Sequence, residues 1–389
     1  MTNKKIRIAV VLVDRANYGR LKPVMVGLRE HPDVDLHVIC AGTMLLGKYG
    51  KTLNVLKQDG FDIAEQIYME VEGSVPSTMA KSVGFGVIEF TGVLQRLQPD
   101  FVVMIGDRYE AISAAIATVY QNLCLIHFQG GEVTGSIDEL TRHAITKLAH
   151  YHVPATQRSC DYVLAMGEDP KSIVHIGCPS VDVINDASKN IPEEALQSLS
   201  MGAGPSIDFD EPYLMVIFHP VTTEVHDAEE QMKELLSAIH ETGIQTILLW
   251  PNIDAGSDTV AQEIRRFREQ YPKALLHAYK NFEPEVFISV LSNAICAVGN
   301  SSSFIRDGSV IGVPVVLVGS RQDGREWGEA VTRVEPVKTE IIVAIEAQVK
   351  VKKYPASELY GKPGISKEIV GKLVELKPYA QKKLYYTAD

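Results

Sequence analysis

The chain has 389 residues, 46% of them hydrophobic, and a formal net charge of −11, which is enough sequence for two domains with separate cores and the wrong balance of charge for a nucleic-acid surface. No window of about twenty apolar residues occurs, so no membrane span is predicted. The five cysteines, Cys40, Cys124, Cys160, Cys178 and Cys296, include no C-x-x-C pair and are read as structural thiols in a reducing compartment.

The first apolar run, Ile6–Val13, is short and meets Asp14-Arg15, so it is predicted as a first strand and not a signal peptide, consistent with a cytoplasmic protein. A helix over Tyr18–Glu30 follows from the spacing of Leu21, Val24, Met25 and Leu28. Leu36–Cys40 is predicted as a strand and Pro76–Leu97 as a long helix, with Gly84 and Gly86 weakening its middle. Phe101–Ile105 and Leu123–His127 are apolar throughout, as buried strands of a parallel sheet are. Each ends in polar and glycine residues: Gly106-Asp107-Arg108 after the first, Gln129-Gly130-Gly131-Glu132 after the second.

The alternation weakens between Asp186 and Pro212, predicted as part of an inter-domain region. A second series of strands is predicted at Tyr213–His219, Gln245–Trp250, Ala274–His277, Ala294–Val298 and Pro314–Val318, and a helix over Ser366–Tyr386. The pattern is α/β: two Rossmann-like doubly wound domains, residues 1–186 and 187–365, facing across a cleft, with 366–389 packing back on the first. Such a cleft suits a nucleotide-linked substrate, one half holding each end.

Neither a G-x-G-x-x-G fingerprint nor a Walker A loop is present, which disfavours nicotinamide and ATP chemistry; no cofactor and no metal are expected. A different phosphate site is available. Gly299-Asn300-Ser301-Ser302-Ser303 lies between a predicted strand and a predicted helix over Phe304–Ile311, where free N–H groups and hydroxyls favour a phosphate. Asp307, one turn on, is placed to bond a ribose hydroxyl; the plain alternative is an N-cap with spare serines. Three more polar clusters follow strands in this half: one from His219 to Glu224, one containing Asn252 and Asp254, and one containing Arg321.

In the first half, Ser136-Ile137-Asp138-Glu139 fits a capping box, which makes Glu139 structural and leaves the Asp138 side chain free near a positive helix end. Arg142 follows Asp138, and His143 follows Glu139, at a spacing that allows ordinary helix pairs or pins carboxylates for catalysis. Glu132 either holds its loop or touches a sugar. Arg15, opening the first helix, is either a surface arginine or a contact to phosphate or nucleobase.

The segments DRANYGRLKPVM, GDRYEA, GGEVTGSIDELTRHAITKLAHYHV, GCPSVD, HPVTTE, PNIDAGS, GNSSSFIRD and GSRQDGREWGE, in that order, resemble the hydrolysing UDP-N-acetylglucosamine 2-epimerases, a family that includes sialic-acid and legionaminic-acid pathway enzymes and the epimerase half of a bifunctional animal enzyme. The resemblance implies a GT-B-like fold, a UDP-sugar substrate, a homodimer or homotetramer, and elimination of UDP through a 2-acetamidoglucal followed by hydration with inversion at C2. By position it implies catalytic roles for Asp107 and Asp138. It supports Arg15, His219, Asn252, Ser301, Ser302 and Asp307 at the nucleotide end, with Arg108 and Arg321 as further diphosphate or sugar contacts.

The family pattern His-x-Glu-Gly-Gly-Glu would put a catalytic carboxylate at position 129, where this chain has Gln129. Glutamine cannot titrate. The chain is then an isostere made to trap a ligand, a variant in which Glu132 or another acid takes over, or a binder without turnover. If position 129 is catalytic, Gln129→Glu should raise turnover strongly. A non-hydrolysing epimerase, a GT-B glycosyltransferase and a nucleotide-sugar sensor are the competing readings.

Overall fold

A computed structural model describes residues 4–47, 52–73, 75–187, 191, 202–251 and 254–385. Residues 188–190 and 192–201 of the stretch predicted as inter-domain lie outside the described residues.

Among the described residues, twelve strands form two sheets. The first contains β1 (Ile6–Leu12), β2 (Val34–Ala41), β3 (Ile63–Ile67), β4 (Phe101–Ile105), β5 (Cys124–Phe128) and β6 (Tyr151–Val153) in the order β3-β2-β1-β4-β5-β6. The second contains β7 (Tyr213–Ile217), β8 (Gln245–Leu249), β9 (Leu276–Tyr279), β10 (Cys296–Gly299), β11 (Val315–Val318) and β12 (Val331–Val334) in the order β12-β11-β10-β7-β8-β9. Every strand pair is parallel. Both sheets have the Rossmann order, so each has a switch point, between β1 and β4 in one and between β7 and β10 in the other. Crevices open at the carboxyl ends of strands at such points. This is the GT-B-like, doubly wound α/β architecture.

The central strands are the ones with apolar residues on both faces, and they were legible as such. β3, β6 and β12 were not predicted. They are edge strands, short or carrying Glu65, Gln66 and Arg333, so they lack a continuous apolar run. The first helix spans Arg15–Glu30 and begins earlier than predicted, because Asp14 caps it by accepting the N–H of Asn17 at 2.7 Å. Arg15 is thereby set in its first turn, at the mouth of the cleft. Helix Pro76–Leu97 continues through its glycines. Gly86 packs so closely that a Cβ there would lie 2.6 Å from Met69 and 2.7 Å from the Ser113 hydroxyl.

The last helix, Ile365–Glu375, lies against Arg15–Glu30. The helix predicted to Tyr386 stops at Glu375, because Pro378 forces the preceding backbone out of the helical region and Leu376 is already extended; Tyr386 lies outside the described residues. The chain beyond Glu375 runs along the first lobe, where the Tyr379 hydroxyl donates to the carbonyl of His150 at 2.9 Å.

Candidate active site

The switch points face each other across a cleft that encloses about 1180 Å³ of space open to solvent. From the N-terminal lobe it is lined by Asp14–Arg20 after β1, by Asp107 and Arg108 after β4, and by Asp138; from the C-terminal lobe by His219, Ser301, Ser302, Ser303, Asp307 and Arg321. Of the residues singled out in the sequence, the fold thus brings Arg15, Asp107, Arg108, Asp138, His219, Ser301, Ser302, Asp307 and Arg321 to one cavity. Gln129, Glu132, Arg142, His143 and Asp254 are not among its lining residues, and Asn252 lies outside the described residues.

On the C-terminal side, the helix Ser302–Ile311 starts ahead of the predicted Phe304, with Ser301 as N-cap accepting the N–H of Ser303 at 3.3 Å. Its first turn offers N–H groups and hydroxyls to the cleft. Asp307 is buried on this helix. Its Oδ1 has no hydrogen-bond partner, and burial raises its pKa, so the site holds an unused acceptor. Asn300 locks the loop after β7, its side chain exchanging two 2.7 Å hydrogen bonds with the backbone of His219. Burial, then the nearby Arg321 guanidinium, hold the His219 imidazole well below its usual pKa. The ring is therefore neutral and retains an N–H to donate.

The arginines divide by partner. Arg108 is buried, bonded to Glu110 at 3.0 Å and, across the cleft, to Asp254 at 2.9 Å. Arg142, 1% exposed, pairs with Asp107 and donates to the Glu132 carbonyl at 2.8 Å. Arg321 reaches Asp138 at 3.3 Å and Asp254 at 3.8 Å. Arg15 and Arg20 differ. Arg15 donates to the Lys280 carbonyl at 3.0 Å and the Asn281 side chain at 2.7 Å; Arg20 donates to Gln129 Oε1 at 3.2 Å and Ser302 Oγ at 3.0 Å. All of these acceptors are neutral. Burial pulls Arg15 down to about 10, and burial together with Arg306 lowers Arg20. Two guanidiniums that hydrogen-bond no carboxylate, lining one cleft with Ser301 and Ser302, make a receptor for an anion.

Two carboxylates of the N-terminal lobe face this receptor. Asp107 is held by Arg142. Asp138 opens the helix Asp138–Leu148, and burial raises its pKa. The capping box expected here does not form. The Ser136 hydroxyl donates to Asp138 at 3.0 Å, while Glu139 accepts the Thr134 N–H at 2.6 Å and pairs with His143 at 2.8 Å. The Asp138 side chain, expected to be free, is positioned from both sides of the cleft, by Ser136 and Arg321. Burial opposes ionisation of Asp254, but Arg108 and Arg321 outweigh it and keep its pKa below the usual range.

Glu132 is a different kind of acid. Arg306 grips both its oxygens at 2.7 Å and Arg325 adds a third bond. Burial favours its neutral form, but Arg306 and Arg325 prevail and bring it to about 2. It fastens one lobe to the other. The same loop docks through Gly135, whose N–H donates to the Arg321 carbonyl at 3.1 Å; a Cβ there would lie 2.1 Å from the Ser320 carbonyl oxygen. Gln129 sits behind Arg20, 2% exposed and with φ of 62°, its Nε2 donating to Cys178 Sγ at 3.3 Å.

Arg20, Glu110, Arg306 and Arg325 were not singled out in the sequence. Charged residues in helical or loop segments read as solvated, and only the unmatched number of carboxylates in the strand-end clusters hinted at buried cations. No group of three or more His, Cys, Asp or Glu side chains suited to a metal occurs among the described residues. No helix among them is long and apolar enough to cross a membrane.

Comparison with known proteins adds the following. Residues 27–374 match the family model described as UDP-N-acetylglucosamine 2-epimerase. A UDP-N,N'-diacetylbacillosamine 2-epimerase (hydrolyzing) of Legionella pneumophila is 33% identical over 91% of this chain and 92% of its own length. A UDP-N-acetylglucosamine 2-epimerase of Neisseria meningitidis is 30% identical over 91% of this chain and 90% of its own. Among solved structures, the crystal structure of UDP-GlcNAc 2-epimerase from Neisseria meningitidis bound to UDP-GlcNAc superposes with a TM-score of 0.79 at 17% identity, covering 95% of this chain and 100% of that one.

Proposed function

The chain belongs to the UDP-N-acetylglucosamine 2-epimerase family, and from that premise we propose that it is the hydrolysing kind, converting a UDP-linked 2-acetamido sugar to UDP and the free C2-inverted sugar. The observation that carries this reading is the placement of Asp107 and Asp138 in one cleft with Arg15 and Arg20 of the same lobe and the Ser301 helix start of the other. Carbon-acid chemistry at C2 needs a base and an acid near the ring, and departure of UDP needs cations and N–H donors at the diphosphate. Likeness to a hydrolysing relative over nearly the full length supports water, not return of UDP, as the second reactant.

In this reading one carboxylate of the Asp107–Asp138 pair takes the C2 proton as the C1–O bond to UDP breaks, leaving a C1–C2 double bond. Water then adds its oxygen to C1, and a proton returns to the other face of C2. Asp138, its pKa raised by burial, is suited to carry a proton at this step. Arg15, Arg20, the Ser301–Ser303 turn and the neutral His219 imidazole stabilise the departing diphosphate, and Asp307 accepts a ribose hydroxyl. Gln129 orients Arg20 and carries no proton.

The test is NMR of products formed in deuterated water from UDP-N-acetylglucosamine and from a UDP-2,4-diacetamido sugar. Free sugar deuterated at C2, with one UDP released per turnover, is expected from at least one of them. An epimerised sugar still joined to UDP would overturn the hydrolytic assignment. Release only on adding an acceptor would point to a glycosyltransferase, and tight binding without product to a sensor.

A further inference from the structure

The stretch after Glu375 closes on one feature of the first lobe, the carboxyl end of the helix Asp138–Leu148. The Lys382 ammonium donates to the carbonyls of Lys147 at 2.8 Å and Ala149 at 2.6 Å, with Thr146 at 3.4 Å. These are the carbonyls a helix end leaves without partners, at the negative end of its dipole. Glu168 anchors the same ammonium at 2.6 Å and also binds Lys147 and His152. The rest of the tail fixes the approach: the Tyr379 ring meets His150 and Tyr151 edge-on at 5.0 and 5.5 Å, the His150 ring bonds the Ala380 carbonyl at 3.0 Å, and the Tyr151 hydroxyl donates to the Lys377 carbonyl at 2.9 Å.

The helix so capped is a rod of about 16 Å whose other end presents Asp138 to the cleft and, one turn in, Arg142 to Asp107. The rod packs along one side on the helix Tyr109–Tyr120 and on β5, so a fastening at its carboxyl end limits the remaining freedom, tilt and axial shift. We propose that the C-terminal tail, through Lys382, is a positioning element that fixes the helix Asp138–Leu148 from its far end and so sets the Asp107–Asp138 pair. Lys382 touches no cleft residue and is a positioning residue, not a catalytic one. Its consequence for turnover rests on the function proposed above; its hold on the helix does not.

The experiment compares the full-length protein with Lys382→Met, which keeps the apolar stem and removes the charge, and with Lys382→Arg. In the unliganded protein, amide exchange at residues 142–145 should accelerate about tenfold in Lys382→Met, and Lys382→Arg should restore protection. The kcat for UDP release should fall roughly 10- to 100-fold in Lys382→Met, with UDP affinity unchanged, and recover in Lys382→Arg. UDP affinity reports that the variant is folded. Faster exchange confined to residues 146–149, or a kcat equal to that of the parent, would overturn the proposal. If the parent protein turned over no UDP-sugar, the proposed function would fail while the exchange measurement still decided whether the tail holds the helix.

Discussion

Glu132 and Arg306 form a two-bond ion pair between the lobes, each carboxylate oxygen 2.7 Å from a guanidinium nitrogen, with both side chains buried. Removing one partner of a buried pair strands the other, at a cost on the order of 3–5 kcal/mol. Glu132→Gln should therefore lower stability at neutral pH by about that amount, measured by urea unfolding. The folded-state pKa is depressed, from the usual 4.5 to about 2. Stability from this group is then fully present above about 4.5 and is lost as pH falls towards 2. The parent should lose this increment between those values and Glu132→Gln should not. Equal stability of the two at pH 7 would contradict the fastening role.

Asp107 faces the cleft and is held by Arg142 from behind. Asp107→Asn keeps the shape and removes the charge, so proton transfer should suffer while the nucleotide end is untouched. A loss of kcat of about 10²- to 10⁴-fold is expected, the usual range for a proton-transfer group, with UDP affinity by calorimetry within twofold (about 0.4 kcal/mol) of the parent. A parallel loss of UDP affinity would place Asp107 in binding instead.

Position 129 separates a titrating role from an orienting one. The Gln129 side chain is buried, turned to Arg20 and Cys178, and absent from the cleft lining. A carboxylate there would pair with Arg20 and draw it away from a bound anion. Gln129→Glu should leave kcat within about twofold and weaken UDP binding roughly tenfold, the scale of one charged hydrogen bond. A strong rise in kcat would restore position 129 to proton transfer.

Much of this site was legible in the chain because strands buried on both faces announce themselves and the polar residues following them fall at one sheet edge. Ser301, Asp307, His219 and Arg321 were singled out in that way, and the fold places them on the cleft. The ion pairs behind them were not, for a physical reason: the worth of a buried arginine depends on a partner remote in sequence. Arg306 meets Glu132 across 174 positions and Lys382 meets the Ala149 carbonyl across 233, and no local pattern encodes such pairings. The capping box at Ser136 misled because Ser136 and Glu139 had better partners in the folded lobe, Asp138 and the Thr134 N–H. β3, β6 and β12 escaped because they are short or carry charged and amide residues in place of a continuous apolar run.

For His219, burial first, then Arg321, with Arg15 and Arg108 behind it, disfavour protonation and outweigh the opposing Asp254 carboxylate. Its folded-state pKa lies well below the usual 6.5, so protonation favours the unfolded chain. The sign is that stability is unaffected above about 6.5 and declines as pH falls below it. Imidazole NMR should show no titration of His219 in the folded protein between about pH 6 and 8, across the ordinary histidine range. The pH profile of turnover near neutrality should accordingly lack a histidine limb in His219→Gln and parent alike. A His219 resonance that titrates near 6.5 would remove the neutral donor from the proposed mechanism.

Arg20 supplies the sharpest test of where the diphosphate sits. Its guanidinium lines the cleft, the residue is half-buried, and it bonds only neutral side chains, the Gln129 amide and the Ser302 hydroxyl, among the contacts described. Desolvation without a directly bonded carboxylate is only partly offset by the more distant Asp307 and Asp14 and is relieved when an anion arrives, so the penalty converts into affinity for phosphate. Arg20→Met should weaken UDP binding by about 10- to 100-fold, the scale of a charge-assisted contact, and should leave the much weaker binding of uridine unchanged. The fold should be little changed in stability, because a partly desolvated charge bonded to no carboxylate has been replaced by an apolar chain of similar length. Calorimetric titration with UDP and with uridine separates these outcomes. Equal losses for the two ligands would mean that Arg20 shapes the pocket as a whole, and no loss for UDP would place the diphosphate beyond its reach.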